Sequence, residues 1–158
     1  DAGKIADHLN KFFTSIAEET LKSNKKRSNA IAHSQKTLNH TFSTLPHTTD
    51  QEIKEIVKHL KPKSSSGNDE ISPKLLKHCI NELSTPLVVI FNKSFDQGLF
   101  PSGMKISKVY PKHKKSCPAT ASNYRPISLI STFSKLCERI VLKRLLTYCK
   151  ENCLLTNA

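Results

Sequence analysis

Apolar residues recur at helical spacing along most of the chain and give way to short β-like runs only between Pro101 and Ser131. Ile5, Leu9, Phe12, Phe13, Ile16 and Leu21 predict an amphipathic helix over about 2–22. Residues 23–48 are rich in Ser, Thr, Asn, His and Lys with few apolar anchors, the composition of a linker. Thr49 and Glu52 then form a capping-box pattern, and Ile53, Ile56, Val57 and Leu60 share one face before Pro62 stops the helix. Lys61 to Asp69 reads as a loop pivoting on Gly67. Ser72-Pro73 predicts a third helix whose buried stripe is Leu75, Leu76, Cys79, Ile80 and Leu83. Thr85-Pro86 predicts the start of a fourth, with Leu87, Ile90, Phe91 and Phe95 inward and Gly98 as its stop.

Ile106–Tyr110 and Pro126–Ile130 read as two short strands, paired as an antiparallel hairpin around a basic loop containing Pro and Ser. Phe133, Leu136, Cys137, Ile140, Val141, Leu145 and Cys149 predict a last helix over about 132–150. Lys143, Arg144 and Lys150 fall in its final turns, where cations suit the helix dipole. The expected fold class is mostly α with a small antiparallel β-hairpin, α+β. No internal repeat is visible.

Composition narrows the function. Of 158 residues 37% are hydrophobic, enough for a core and against wholesale disorder, and the length suits one domain or a piece of a larger one. Three Tyr, seven Phe and no Trp argue against an aromatic base-stacking surface. The net charge of +12 is concentrated: residues 97–150 hold 11 Lys and Arg against Glu138 alone. Such a local excess predicts a polyanionic partner, because Lys and Arg release counterions from phosphate backbones; a merely solvated surface is the competing reading. The five cysteines are odd in number and form no C-x-x-C, so reduced thiols in an intracellular protein, nuclear or cytoplasmic, are expected. His113 with Cys117, and Cys149 with Cys153, have metal-ligand spacing, but no further pair completes a zinc set, and no metal is expected. No run approaches the roughly 18 apolar residues of a membrane span, so no membrane partner is expected. The chain lacks an initial Met and ends just past an apolar helical pattern, so it is expected to be cut from a longer polypeptide.

Lys112, His113, Lys114 and Lys115 lead into the hairpin loop and Arg125 lies on its return. A loop of this kind can fold its cations over a triphosphate or a nucleic-acid backbone, Lys as a point charge and Arg as a fork gripping two oxygens. Taken alone this is a weak signal, since lysines commonly flank turns. The adjacent Asn123-Tyr124-Arg125-Pro126-Ile127-Ser128-Leu129-Ile130 is more specific. It resembles the Asn-Tyr-Arg-Pro-Ile-Ser-Leu-Leu signature of reverse transcriptases from non-LTR (LINE-type) retrotransposons. Phe100-Pro101-Ser102 through Lys105, Val109 through Lys115, and Ser134-Lys135 with Glu138 and Arg144-Leu145 resemble the segments flanking that signature, in the same order. Upstream, Leu60-Lys61, Ser66-Gly67-Asn68-Asp69-Glu70-Ile71 and Leu76-Lys77 resemble the family's opening segment, and Phe12-Phe13 is similar to the helix joining endonuclease to polymerase. Met104 stands where the family usually has Trp, Asn68 where Pro is common, and Ser65-Ser66 in place of Ser-Pro, departures that touch packing and loop stiffness.

The resemblance implies the N-terminal part of such an enzyme: the fingers portion, and start of the palm, of a right-hand polymerase fold. A helix and linker (1–48) would precede a partial, truncated polymerase domain (49–158). It implies RNA template, DNA primer and deoxynucleotide triphosphates as partners, together with the remainder of the polymerase beyond Ala158. It also implies that Arg125 contacts the incoming triphosphate with help from Lys112, Lys114 or Lys115, among which the sequence does not choose. Lys61, Lys63, Lys105 and Lys108 are the candidates for nucleic-acid backbone. Asn123 and Tyr124 are expected to position the hairpin, and an ion pair from Arg125 to Glu138 is the architectural alternative. The family's catalytic aspartates hold Mg2+, but this chain has no Asp after Asp96 and no Asp-Asp pair. Glu18-Glu19 and Asp69-Glu70 read as solvent-facing, so no catalytic or metal residue is expected here. A basic helical nucleic-acid-binding module, or a domesticated inactive remnant, remains the alternative.

Overall fold

Residues 1–23, 44–114 and 116–154 are described in a computed structural model of the chain. Residues 24–43 of the linker expected over 23–48 lie outside them, as does Lys115. The elements run in the order α1 (Ala2–Ser23), α2 (Asp50–Lys58), α3 (Pro73–His78), α4 (Ile80–Gln97), β1 (Ser107–His113), β2 (Tyr124–Ile130) and α5 (Thr132–Glu151). The architecture is therefore mostly helical with one two-stranded antiparallel hairpin, as the pattern predicted. By contact the chain divides into two units, Asp1–Thr37 with Val109–Ser128 and Leu38–Lys108 with Leu129–Ala158.

The second unit holds the main core. Ile53 and Val57 of α2, Leu60, Leu76 of α3, Leu87, Phe91 and Phe95 of α4, and Leu136, Cys137 and Ile140 of α5 are buried together. Met104 packs against this cluster, its flexible thioether filling core space. Burial pushes the Cys137 thiol up to about 11, and the Glu138 charge adds to the shift.

Local signals act where the sequence put them. Thr49 Oγ1 accepts the Glu52 N–H at 3.2 Å, Ser72 caps α3 by accepting from Leu75, and Gly98 ends α4 at φ 61°. The capping box is only half formed, because the Glu52 carboxylate turns to other partners. The division between α3 and α4 differs from expectation. The break falls at Cys79 (φ −103°, ψ 14°), and α4 runs unbroken through Pro86. Pro86 is exposed, so water can serve the carbonyl that its missing N–H leaves unpaired. Ser84, two residues earlier, folds its hydroxyl back to the Asn81 carbonyl at 3.3 Å. Leu75 and Ile90, expected inside, are exposed, and so is Leu145 of α5.

Segment 45–48 is strapped onto this core by side chains. Asn92 of α4 accepts from the Thr48 N–H at 2.8 Å and donates to the Thr48 carbonyl at 3.0 Å. Arg144 of α5 donates to the Pro46 and His47 carbonyls and grips Glu52 with two N–H bonds of 2.6 and 2.5 Å. Arg144 thus serves a side-chain ion pair, where the sequence had suggested only a complement to the helix dipole.

The first unit contains α1 and the distal part of the hairpin. The amphipathic pattern of α1 forms the helix, but among its described side chains only Leu9 is buried; Ile5, Ile16 and Leu21 are exposed. Phe12 and Phe13 lie with ring centroids 5.7 Å apart. Among the described residues no helix is long and apolar enough to cross a membrane.

Candidate nucleic-acid interface

Both strands are longer than the apolar pattern predicted, so Lys112 and His113 lie within β1 and Tyr124 and Arg125 within β2. The Lys114 N–H donates to the Asn123 carbonyl at 2.8 Å, and the His113 and Tyr124 rings meet at 5.1 Å. The strand limits mirror each other in that same register, Ser107 opposite Ile130 and His113 opposite Tyr124. Side chains alternate between the two faces of a strand. Lys112 therefore stands directly opposite Arg125, and Tyr110 opposite Ile127.

The register also explains how two prolines are accommodated. Pro111 and Pro126 face each other at a pair that exchanges no hydrogen bonds, where an N–H would point away from the partner strand. Neither proline removes a ladder bond, and each blocks an outer edge of the ribbon to further pairing.

The loop is held by the residues expected to position it. Asn123 Nδ2 donates to the Cys117 carbonyl at 2.9 Å and the Tyr124 hydroxyl to the Pro118 carbonyl at 2.9 Å. Ser116 takes a left-handed φ of 72°, so the turn is fixed by side-chain bonds in place of a glycine. Lys112, His113, Lys114, Ser116, Ser122, Asn123 and Arg125 line an open hollow of about 480 Å3. The structure thus brings Lys112, Lys114 and Arg125 together. Arg125 makes no ion pair among the described residues, so the alternative partner Glu138 is not engaged by it; Glu138 instead accepts from the Ser134 hydroxyl at 2.9 Å. Like charges directly opposite on a ribbon repel, and an anion bound between them removes that cost.

The remaining candidates lie in the second unit. Lys61 and Lys63 are exposed in the loop after α2, Lys105 ends a short 3-10 turn over Ser102–Lys105, and Lys108 is exposed on β1. That same loop corrects one expectation. Asp69 is not free in solvent: its carboxylate accepts from the Ser131 hydroxyl at 2.5 Å and from the Ile71 N–H at 3.2 Å. The Thr132 hydroxyl donates to the Ile71 carbonyl at 2.6 Å, and Ser131 caps α5. Gly67 is buried against the same junction, where an added Cβ would lie 2.6 Å from Ser131 N. The Ser66–Asp69 stretch therefore anchors the end of β2. Its pattern of a glycine followed by a short acid was the available signal, but the distant partner was not readable.

Among the described residues no group of three His, Cys, Asp or Glu side chains could hold a metal ion. Asp50 pairs with Lys54, Glu52 with Arg144, and Asp69 with Ser131. These carboxylates are committed to partners within the fold.

Comparison with known proteins gives this geometry its context. No family model matches the chain. It is 33% identical over 104 residues to the RNA-directed DNA polymerase from mobile element jockey of Drosophila melanogaster, covering 65% of this chain and 11% of that protein. The jockey polymerase of Drosophila funebris is 33% identical over 100 residues, 63% of this chain and 11% of its own length. The probable RNA-directed DNA polymerase from transposon BS of Drosophila melanogaster is 35% identical over 96 residues, 60% and 11% respectively. The motif resemblance is borne out: the chain is homologous, over about 60% of its length, to reverse transcriptases of non-LTR mobile elements. It spans about a tenth of the length of these relatives.

Proposed function

We propose that the chain is the fingers portion of a right-hand RNA-directed DNA polymerase, and that its hairpin holds the triphosphate of an incoming nucleotide between Lys112 and Arg125. The observation that carries this reading is the like-charged cross-strand pair in an open hollow, to which no acid is paired among the described residues. Of the three lysines that the sequence left open, the register favours Lys112, with Lys114 next along the same face. Lys61, Lys63, Lys105 and Lys108 serve the template and primer backbone, to which lysines bind without reading sequence. The chain supplies these contacts and the metal-holding carboxylates come from elsewhere, so the chain by itself is expected to extend no primer. Template-dependent extension above a buffer control, with primed RNA, nucleotides and Mg2+, would overturn that.

Charge-assisted bonds of the Arg–phosphate kind contribute about 1.5–3 kcal/mol. Arg125→Ala is therefore expected to weaken deoxynucleotide triphosphate binding roughly tenfold to a hundredfold, and Arg125→Lys to recover only part, since Lys lacks the planar fork. Melting temperature should stay near wild type for both. A stability loss with unchanged affinity assigns Arg125 to architecture.

A further inference from the structure

A second cationic surface lies in the helical unit, at the corner between α2 and α3. The Lys77 ammonium donates to the Lys58 carbonyl at 2.8 Å, which joins the end of α2 to α3. The Lys63 N–H donates to the Lys61 carbonyl at 2.8 Å and the Lys74 N–H to the Lys63 carbonyl at 3.3 Å. Five lysines from two helices and the loop between them are gathered in this way. Lys58, Lys61, Lys63 and Lys74 are exposed, and among the described residues none of the four has an ion pair. Glu55, one turn before His59, faces that imidazole at 3.4 Å.

Cations gathered on one corner repel one another, and among these lysine side chains Lys77 has an evident structural task, satisfying a helix-end carbonyl. Neither 58–63 nor 74–78 contains Phe, Tyr or Trp. The rings at this corner are the small imidazoles of His59, which faces Glu55, and His78, so the corner offers many phosphate contacts and little stacking surface for an unpaired base. A duplex offers the denser target, about one charge per 1.7 Å of axis. Compact ammonium groups suit its backbone without selecting sequence.

We propose that the corner formed by Lys58, Lys61, Lys63 and Lys74 binds the phosphate backbone of a nucleic-acid duplex. The inference rests on the reading of Lys61 and Lys63 as backbone contacts, extends it to Lys58 and Lys74, and names the duplex as the form bound.

The test measures binding of the whole chain to a DNA duplex of about 20 base pairs and to a single strand of equal length, across a salt series. Each phosphate contact adds about 0.9 to the slope of log K against log salt for a duplex. The double substitutions Lys58→Gln/Lys74→Gln and Lys61→Gln/Lys63→Gln are each expected to lower the slope by roughly two. Helical content should be unchanged, because Lys77 and its bond are left in place. Triphosphate binding, which reports the hairpin, should not move. If only the Lys61/Lys63 pair lowers the slope, the extension falls while the earlier reading stands. If neither pair does, both fall. Binding of the single strand as tightly as the duplex overturns the choice of duplex.

Discussion

Gly67→Ala is expected to destabilise the helical unit by about 3–5 kcal/mol, out of the roughly 5–15 kcal/mol that holds a typical domain. A Cβ on residue 67 would lie 2.6 Å from Ser131 N, 2.7 Å from the Ile130 carbonyl carbon and 2.9 Å from its oxygen. All three are backbone atoms at the turn from β2 into α5, so no rotamer change relieves the collision. Overpacking alone costs about 1–3 kcal/mol. Pushing the loop away also strains the Asp69 to Ser131 bond, a charge-assisted contact worth about 1.5–3 kcal/mol. Gly103→Ala is the matched control, because a Cβ there meets nothing within 4 Å. Thermal or denaturant unfolding of both variants decides the matter. A Gly67→Ala protein as stable as Gly103→Ala would show that the loop does not bear on the β2–α5 junction.

The second large effect is expected at Arg144. Its side chain is 11% exposed and that of Glu52 14%, so the pair is shielded from solvent. Removing one partner of such a pair costs about 3–5 kcal/mol, because the other charge is left unmatched. Arg144→Met also strands the Pro46 and His47 carbonyls, while Lys143, 3.0 Å from Glu52, softens the loss. A loss of about 3 kcal/mol is expected for the single variant. Adding Glu52→Gln should cost less than the sum of the two single changes, the mark of a coupled pair.

The same pair sets an acid limb. Hydrogen bonding from Arg144 overcomes the opposing effect of burial and, with Lys143 and Thr48, holds the Glu52 carboxyl down from 4.5 to about 2. A depressed folded value means that the native state releases this proton more readily than the unfolded chain. The stabilisation is therefore full above pH 4.5 and is lost as pH falls from there to about 2. It amounts to about 3 kcal/mol at one pKa unit per 1.36 kcal/mol. In Arg144→Met this limb should flatten, and a limb of undiminished height would assign the acid sensitivity to other carboxylates.

Much of the fold was legible because its signals are local. Thr49 and Ser72 start helices through bonds that reach three residues ahead, and Gly98 ends one by supplying a left-handed φ. The period of α1 predicted its limits closely even though Ile5, Ile16 and Leu21 are exposed, because periodicity reports an amphipathic helix whether or not its face is covered. The hairpin was found too, but its strands were drawn too short. Lys112 and Arg125 break the apolar run without breaking the ladder, and the paired prolines, rightly taken as breakers elsewhere, fit wherever no inter-strand bond is made.

The sequence by itself determined that this chain is helical with one basic hairpin and akin to reverse transcriptases, since caps, periods and motifs are written within a few residues. Tertiary structure alone decided what its charged side chains do. Asp69 meets Ser131 across 62 residues and Arg144 meets Glu52 across 92. Lys112 faces Arg125 only once the ladder fixes a register, and Pro86 is carried inside α4 because the chain turned earlier, at Cys79. Such pairings depend on which helix faces pack and on where the strands align, and a one-residue change in either moves every partner.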